Sequence, residues 1–227
     1  MNRLAQAFRS SRLAWLAAFG IAFGYLEAVV VVYLREIYYP EGFGFPLTLP
    51  DTRLFVVELG RELATLIMLW AVARFAARTG WDRFGAFCFL FGVWDVVFYA
   101  VLWLVLRWPE SLFTWDVLFL IPMVWTGPVL TPLLVAASLI VAGAAIMKRA
   151  GSGVLPVTRW WIWAGGVLSL LLLLGSFMAN HGLVRANGTP ESFPWIPYAA
   201  GLVLGWGTYW AAFPRPSRAR RPGGGPD

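Results

Sequence analysis

The chain has 227 residues, of which 59% are hydrophobic and 13% are charged, and its formal net charge is +6. Soluble domains carry about 25% charged residues, so this composition excludes an ordinary soluble domain and indicates a membrane protein. The single cysteine excludes a disulfide framework and a cysteine-based metal site.

Apolar runs long enough to cross a bilayer, about 20 residues each, recur along the whole chain. These runs are 13–34, 54–77, 84–106, 128–147, 158–178 and 195–212. We therefore expect an all-α polytopic membrane bundle with one transmembrane helix for each run. It should form a single domain over 1–213, and the basic tail over 214–227 should be disordered because it lacks apolar residues to bury.

Arginine and lysine are concentrated in alternate connections between these runs. One cluster precedes the first run, and the others follow 54–77, 128–147 and 195–212. By the positive-inside rule these connections are cytoplasmic. We therefore expect a protein of the bacterial inner membrane with both termini on the cytoplasmic side. Positive charge distributed in this way indicates membrane topology and attraction of anionic lipid rather than a nucleic-acid partner.

Two of the runs carry small residues at helical spacing. Gly20, Gly24 and Ala28 recur every four residues in the first run, and Gly201 and Gly205 repeat this spacing in the last. Such stripes let transmembrane helices approach each other closely, so we expect both stripes at helix–helix contacts.

The segment between the third and fourth runs does not fit a simple span. A helix over 110–121 would rise only about 18 Å, which is part of the way across a bilayer. Pro122, Gly127 and Pro128 then interrupt the chain. We expect either a re-entrant half-helix or an interfacial helix over 110–121, followed by irregular chain over 122–127.

Ionisable residues lie inside several of the predicted spans. An ionised side chain at a span centre costs about 2.5–3.5 kcal/mol on insertion scales, so such residues face the bundle interior or a watery cavity. Glu58 and Glu62 are four residues apart and share one helical face. We expect one interior cavity, opening to the outer side, where the following residues converge: Glu27, Glu58, Arg61, Glu62 and Asp95.

Carboxyl groups in a site of low dielectric can serve as general acid and general base, because burial and neighbouring charges separate their proton affinities. The catalytic candidates are Glu58, Glu62 and Asp95. The substrate-binding candidates are Arg61, Glu27, Asp116 and Trp94. Oxygen and imidazole groups are also suitable ligands for a divalent metal ion, so such an ion is one candidate cofactor. The metal-ligand candidates are Glu58, Glu62, Asp95 and His181.

Three hypotheses of function follow from this constellation. The first is an enzyme at the outer leaflet that acts on a lipid-borne or amphipathic substrate, with Arg61 orienting an anionic group. The second is a proton- or cation-coupled carrier of small solutes, which would need access from both faces of the membrane. The third is a buried ion-pair network with a purely structural role. Membrane lipid is the expected partner, and the oligomeric state is left open.

Four blocks of sequence resemble an uncharacterised family of small bacterial polytopic integral membrane proteins. These blocks are GYLE, ELGRELAT, FGVWD and TWDVLFLIP. The resemblance covers most of the first four predicted spans. It implies a polytopic membrane fold and carries over neither an activity nor a site residue.

Overall fold

The computed structural model describes residues 3–47 and 52–213, and it describes side chains from Ser11 onwards. The predicted disordered tail at 214–227 lies outside these residues. The elements in chain order are α1 (Arg3–Tyr38), α2 (Thr52–Ala76), α3 (Gly80–Leu106), β1 (Trp115–Phe119), β2 (Trp125–Pro128), α4 (Leu130–Ala150), α5 (Trp160–Met178), α6 (His181–Arg185) and α7 (Trp195–Ala212).

The predicted helical fold is confirmed. Four helical stretches are long and apolar enough to cross a membrane, and they are Ser11–Tyr38, Gly80–Leu106, Leu130–Ala150 and Trp160–Arg185. Two other helices fall outside this set. One is α2, which carries Glu58, Arg61 and Glu62 within three turns, and the other is α7, which has 18 residues.

Helix α3 lies at the centre of the bundle and packs against α1, α2 and α4. Small residues permit the closest of these contacts. A Cβ atom added to Gly24 would lie 2.6 Å from the carbonyl oxygen of Trp94 on α3. In the last run, a Cβ atom added to Gly205 would lie 2.9 Å from the Ser169 hydroxyl on α5. Helix packing at the predicted small-residue stripes is therefore confirmed.

Arg12 of α1 binds the end of α2 and the start of α3 at one end of the bundle. Arg12, near the start of α1, donates from both terminal nitrogens to the carboxylate of Asp82, each at 2.8 Å, in the first turn of α3. Arg12 also donates to the carbonyl oxygen of Ala76, where α2 ends, at 3.5 Å. Helices α1 and α3 therefore run in the same direction and α2 runs antiparallel to them.

The segment predicted to be a half-helix is a β-hairpin. Strands β1 and β2 pair antiparallel, with Asp116 opposite Gly127 and a register shift between Val117 and Phe119. The prediction of a helix over 110–121 is therefore wrong. Two short apolar runs separated by a turn that contains Pro122 are typical of a hairpin. The prediction considered only the length of a helix over 110–121 and not this pattern.

The α3–α4 contact generates a prediction about stability. A Cβ atom added to Gly143 of α4 would lie 2.5 Å from the carbonyl oxygen of Gly85 and 2.6 Å from the amide nitrogen of Phe89. Because backbone cannot rotate away as a side chain can, Gly143→Ala should separate the two helices and cost about 1–3 kcal/mol. Thermal unfolding of the detergent-solubilised protein should show a lower midpoint.

The matched control is Gly175→Ala on α5, where an added Cβ atom would meet no atom within 4 Å. Its unfolding midpoint should equal that of the wild type or exceed it, because alanine favours a helix by about 1 kcal/mol over glycine. Equal midpoints for the two variants would contradict the packing described here.

Candidate functional site

A cavity of about 370 Å³ lies between helices α1 to α5 and the hairpin. Its lining combines a polar wall with an apolar wall. The polar wall comes from α1, α2, α3 and β1, and its ionisable groups are Glu27, Arg35, Arg61, Glu62, Asp95 and Asp116. The predicted convergence of intramembrane ionisable residues on one cavity is therefore confirmed for most of them.

Arg61 is held by two carboxylates from two helices. Its Nε donates to Oε2 of Glu58 at 2.9 Å, one turn away on α2, and its Nη1 donates to Oε2 of Glu27 on α1. Thr65, in the next turn of α2, donates its hydroxyl to the other oxygen of Glu27 at 2.8 Å. The charge of Arg61 is thus already neutralised within the protein. A role in orienting an anionic substrate does not fit this arrangement.

Arg35 forms the second cationic centre of the polar wall. Its Nη2 donates to Oδ1 of Asp116 in β1 at 2.9 Å, and Tyr99 of α3 donates its hydroxyl to the other oxygen at 3.0 Å. The centre of the guanidinium lies 3.6 Å from the ring centroid of Trp108 and 4.3 Å from that of Phe43. Arg35 and Asp116 are only 7% and 2% exposed, so the pair is a buried one.

Tyr99 and Arg35 were not among the predicted site residues. Tyr99 lies four residues after Asp95 on α3, and this spacing places both side chains on the face that lines the cavity. The spacing could therefore have identified Tyr99. Arg35 lies in the last turn of α1, and nothing in its local sequence separates a buried arginine from one at the rim.

Glu62 and Asp95 are the cavity carboxyl groups without a cationic side-chain partner. Glu62 accepts the backbone N–H of Leu120, just after β1, on both oxygens at 2.9 and 3.1 Å. Asp95 forms no hydrogen bond or ion pair with any residue that the structure describes. Asp116 is the charged group that acts on Asp95, and the two carboxylates repel each other. Asp95 is therefore the group most open to an external partner.

The opposite wall of the cavity is apolar. It includes Val135 and Leu139 from α4 and Leu170, Leu173 and Leu174 from α5. Aromatic rings border both walls. Trp125 stacks on Phe177 at 6.1 Å, and Trp94 stacks on Phe98 at 6.2 Å between ring centroids. The indole N–H groups of Trp94 and Trp125 have no hydrogen-bond partner among the described residues.

The remaining predicted site residues lie outside the lining. Glu58 reaches the site only through Arg61, and His181 begins α6 away from the cavity. Among the residues that the structure describes, no three His, Cys, Asp or Glu side chains lie close enough to hold one metal ion. Glu58, Glu62, Asp95 and His181 therefore do not form a single ligand set.

Comparisons with protein-family models, with curated proteins and with solved structures give no match to this chain. The resemblance to a family of small bacterial membrane proteins therefore stays a prediction.

The Arg35–Asp116 pair generates a second prediction. Arg35→Met would leave the Asp116 carboxylate buried without a cation, and removing one partner of a buried pair typically costs about 3–5 kcal/mol. We expect a marked fall in the thermal midpoint of the purified protein. Adding Asp116→Asn in the same chain should restore part of the loss, since the unpaired charge is then gone.

Arg107→Met is the matched control, because Arg107 is exposed and its guanidinium lies over the ring of the half-exposed Trp103. Its midpoint should change little, as surface substitutions usually stay within about 0.5 kcal/mol. If Arg35→Met is as stable as this control, the pair does not contribute as argued.

Proposed function

We propose that this protein holds a lipid-borne or amphipathic molecule in the cavity and acts on its polar headgroup. One observation carries the proposal: a single cavity joins a wall of carboxyl groups to a wall of leucine and valine side chains. A fully polar solute would make no favourable contact with the apolar wall, and a hydrocarbon would make none with the polar wall. Ligand sites combine apolar surface with a few placed polar groups in this way.

Asp95 and Glu62 are the groups that we propose for acid–base chemistry. Both line the cavity, neither is bound to a cationic side chain, and no hydrogen bond joins them. A headgroup between them would be contacted by two carboxyl groups, one able to donate a proton and the other to accept one. Glu58 and Glu27 become positioning residues that hold Arg61, and Asp116 holds the hairpin through Arg35.

The proposed topology has six spans, with α2 and α7 as the additional two. At 1.5 Å per residue, α2 is about 37 Å long and α7 about 27 Å long, lengths that suit the hydrocarbon core. The charges of α2 do not oppose insertion, because Glu58 and Glu62 are buried in the bundle and Arg61 is paired with Glu27. Helix α7 packs along α5.

The positive-inside rule orients this bundle. Arg78 and Arg83 lie beside Asp82 at the end of the bundle where Arg12 binds. Placing that end in the cytoplasm puts both termini inside. It also puts the hairpin in the outer half of the membrane, as a re-entrant element covered by protein. Irregular backbone at membrane depth is tolerated only under such cover or along a watery cavity.

Cysteine labelling tests this topology. Cys88 is buried in α3, so the introduced residue is the accessible cysteine in each variant. The variants are Glu41→Cys, Ser152→Cys and Glu191→Cys, at exposed loop positions. In intact cells a membrane-impermeant maleimide should label the first and third variants and spare the second. Labelling of Ser152→Cys from outside would contradict the proposed orientation.

Occupancy of the cavity tests the function. Leu174 lines the apolar wall, and Leu171 on the same helix is 59% exposed. Mass spectrometry of extracts from the purified protein should find a bound amphiphile in the wild type and in Leu171→Trp. In Leu174→Trp the added ring fills the cavity, and the amphiphile should be absent. Equal amounts in both variants would show that any bound lipid lies on the outer surface instead.

Catalysis is tested separately, by measuring how much of the amphiphile is converted in cells that carry each variant. The amphiphile should accumulate unconverted in hosts that carry Asp95→Asn or Glu62→Gln, and the exposed control Glu191→Gln should match the wild type. Conversion that continues unchanged in both cavity variants would exclude the acid–base role, leaving a binding protein.

A further inference from the structure

We infer that the amphiphile is an organic cation, with an ammonium-type headgroup attached to an apolar body. This inference rests on the proposed function and names the class of its ligand. It depends on three features of the cavity: the balance of charge in its lining, the carboxyl group of Asp95 without a protein partner, and the aromatic rings that share the lining with Asp95.

The charge in the lining is unbalanced toward the negative. Four carboxyl groups face the cavity against two guanidinium groups. Both guanidinium groups are already paired, Arg61 with Glu27 and Glu58 and Arg35 with Asp116. No lysine or histidine is in the lining. The unmatched groups are therefore Glu62 and Asp95, and a cationic ligand would balance the negative charge that each of them carries when it is ionised.

The surroundings of Asp95 suit an organic cation better than a bare metal ion. Phe91, Trp94 and Phe98 line the same cavity as Asp95. The ring of Trp94 lies 5.2 Å from that of Phe91 and 6.2 Å from that of Phe98 between centroids. Aromatic faces attract ammonium groups, by about 2 kcal/mol or more where water is excluded. A metal ion would need several close ligands, and Asp95 belongs to no such group among the described residues.

An anionic headgroup would meet the opposite conditions. It would approach Asp95 and Glu62 without a free guanidinium to neutralise it, and burying an uncompensated charge is strongly unfavourable. Arg35 retains one terminal nitrogen without a hydrogen-bond partner. Its guanidinium is nevertheless covered by Phe43 and Trp108 and bound to Asp116. It is therefore not a free anion site.

The test uses two probes of nearly equal size and opposite charge, tetraphenylphosphonium and tetraphenylborate. Equilibrium dialysis measures each against the purified full-length protein in dodecyl maltoside, with protein-free micelles as the blank. We expect saturable binding of one phosphonium per chain and no saturable binding of the borate. A linear probe, decyltrimethylammonium, should compete with the phosphonium.

The variants locate the binding. Asp95→Asn should weaken phosphonium binding at least tenfold, and it should fold normally because Asp95 has no partner to lose. Leu174→Trp should abolish binding by filling the cavity, whereas Glu191→Gln and Leu171→Trp should bind like the wild type. Gel filtration and thermal unfolding verify that each variant is folded.

Three outcomes of the binding experiment would overturn the inference. They are saturable binding of the borate at equal or higher affinity, unchanged phosphonium binding in Asp95→Asn, and failure of both cations to bind saturably. If an uncharged or anionic amphiphile co-purifies with the wild type and is absent from Leu174→Trp, the proposed function stands and the cationic class is wrong. If no amphiphile of any charge occupies the cavity, both proposals fail together.

Discussion

The arrangement of this bundle depends on the high energy of a charge in an apolar interior. Two arginines enter that interior, and each is held by at least one carboxylate that comes from another element of the chain. Arg61 on α2 binds Glu27 on α1, and Arg35 on α1 binds Asp116 in β1. Breaking such a pair leaves a buried charge without compensation, which is far less favourable than never burying the pair. The pairs therefore fix which elements are neighbours.

The hairpin shows how far this constraint extends. A two-stranded hairpin is marginal in isolation, because one row of backbone hydrogen bonds does not offset the entropy of ordering the chain. Here two carboxylates attach it to the bundle: Glu62 of α2 accepts the N–H of Leu120, and Asp116 of the hairpin itself binds Arg35 and Tyr99. On its other side, Trp115, Leu118 and Trp125 pack against a cluster formed by Phe177, Phe193 and Tyr198. The hairpin thus connects α3 to α4 in the part of the chain where a half-helix was expected.

The sequence alone was sufficient for the features that depend on periodicity and composition. It predicted the long apolar helices, the small-residue contacts of α1 and α7, and the meeting of Glu27, Arg61, Glu62 and Asp95 at one cavity. Each of these follows from local spacing together with the energy of burying charge. No long-range information was needed.

The remaining features depend on partners that are distant in the chain. The strand at 115–119 is anchored by Glu62, which lies 58 positions before Leu120, and no pattern within 110–121 encodes that contact. Asp116 was a predicted site residue, but its pairing with Arg35, 81 positions earlier, was not predicted. His181 failed as a candidate ligand for the same reason. A histidine at the end of an apolar run carries no sign of which cavity it faces.

The division of the cavity into two walls follows from chain order. Helices α1 to α3 supply nearly all of its charged groups, α4 and α5 supply its aliphatic wall, and the hairpin that connects α3 to α4 lies where the two walls meet.

Glu62 has two roles at this junction, because the carboxylate proposed for chemistry also accepts the Leu120 N–H that positions the hairpin. A headgroup that draws Glu62 toward itself must weaken that hydrogen bond, and Leu120 then needs another acceptor or water. Asp95 has no such second task, since it supports no structural contact. Under the proposed function, the position of the hairpin is therefore coupled to Glu62 and not to Asp95. From this asymmetry we expect that engagement of Glu62 by a headgroup shifts the hairpin, whereas engagement of Asp95 leaves it in place.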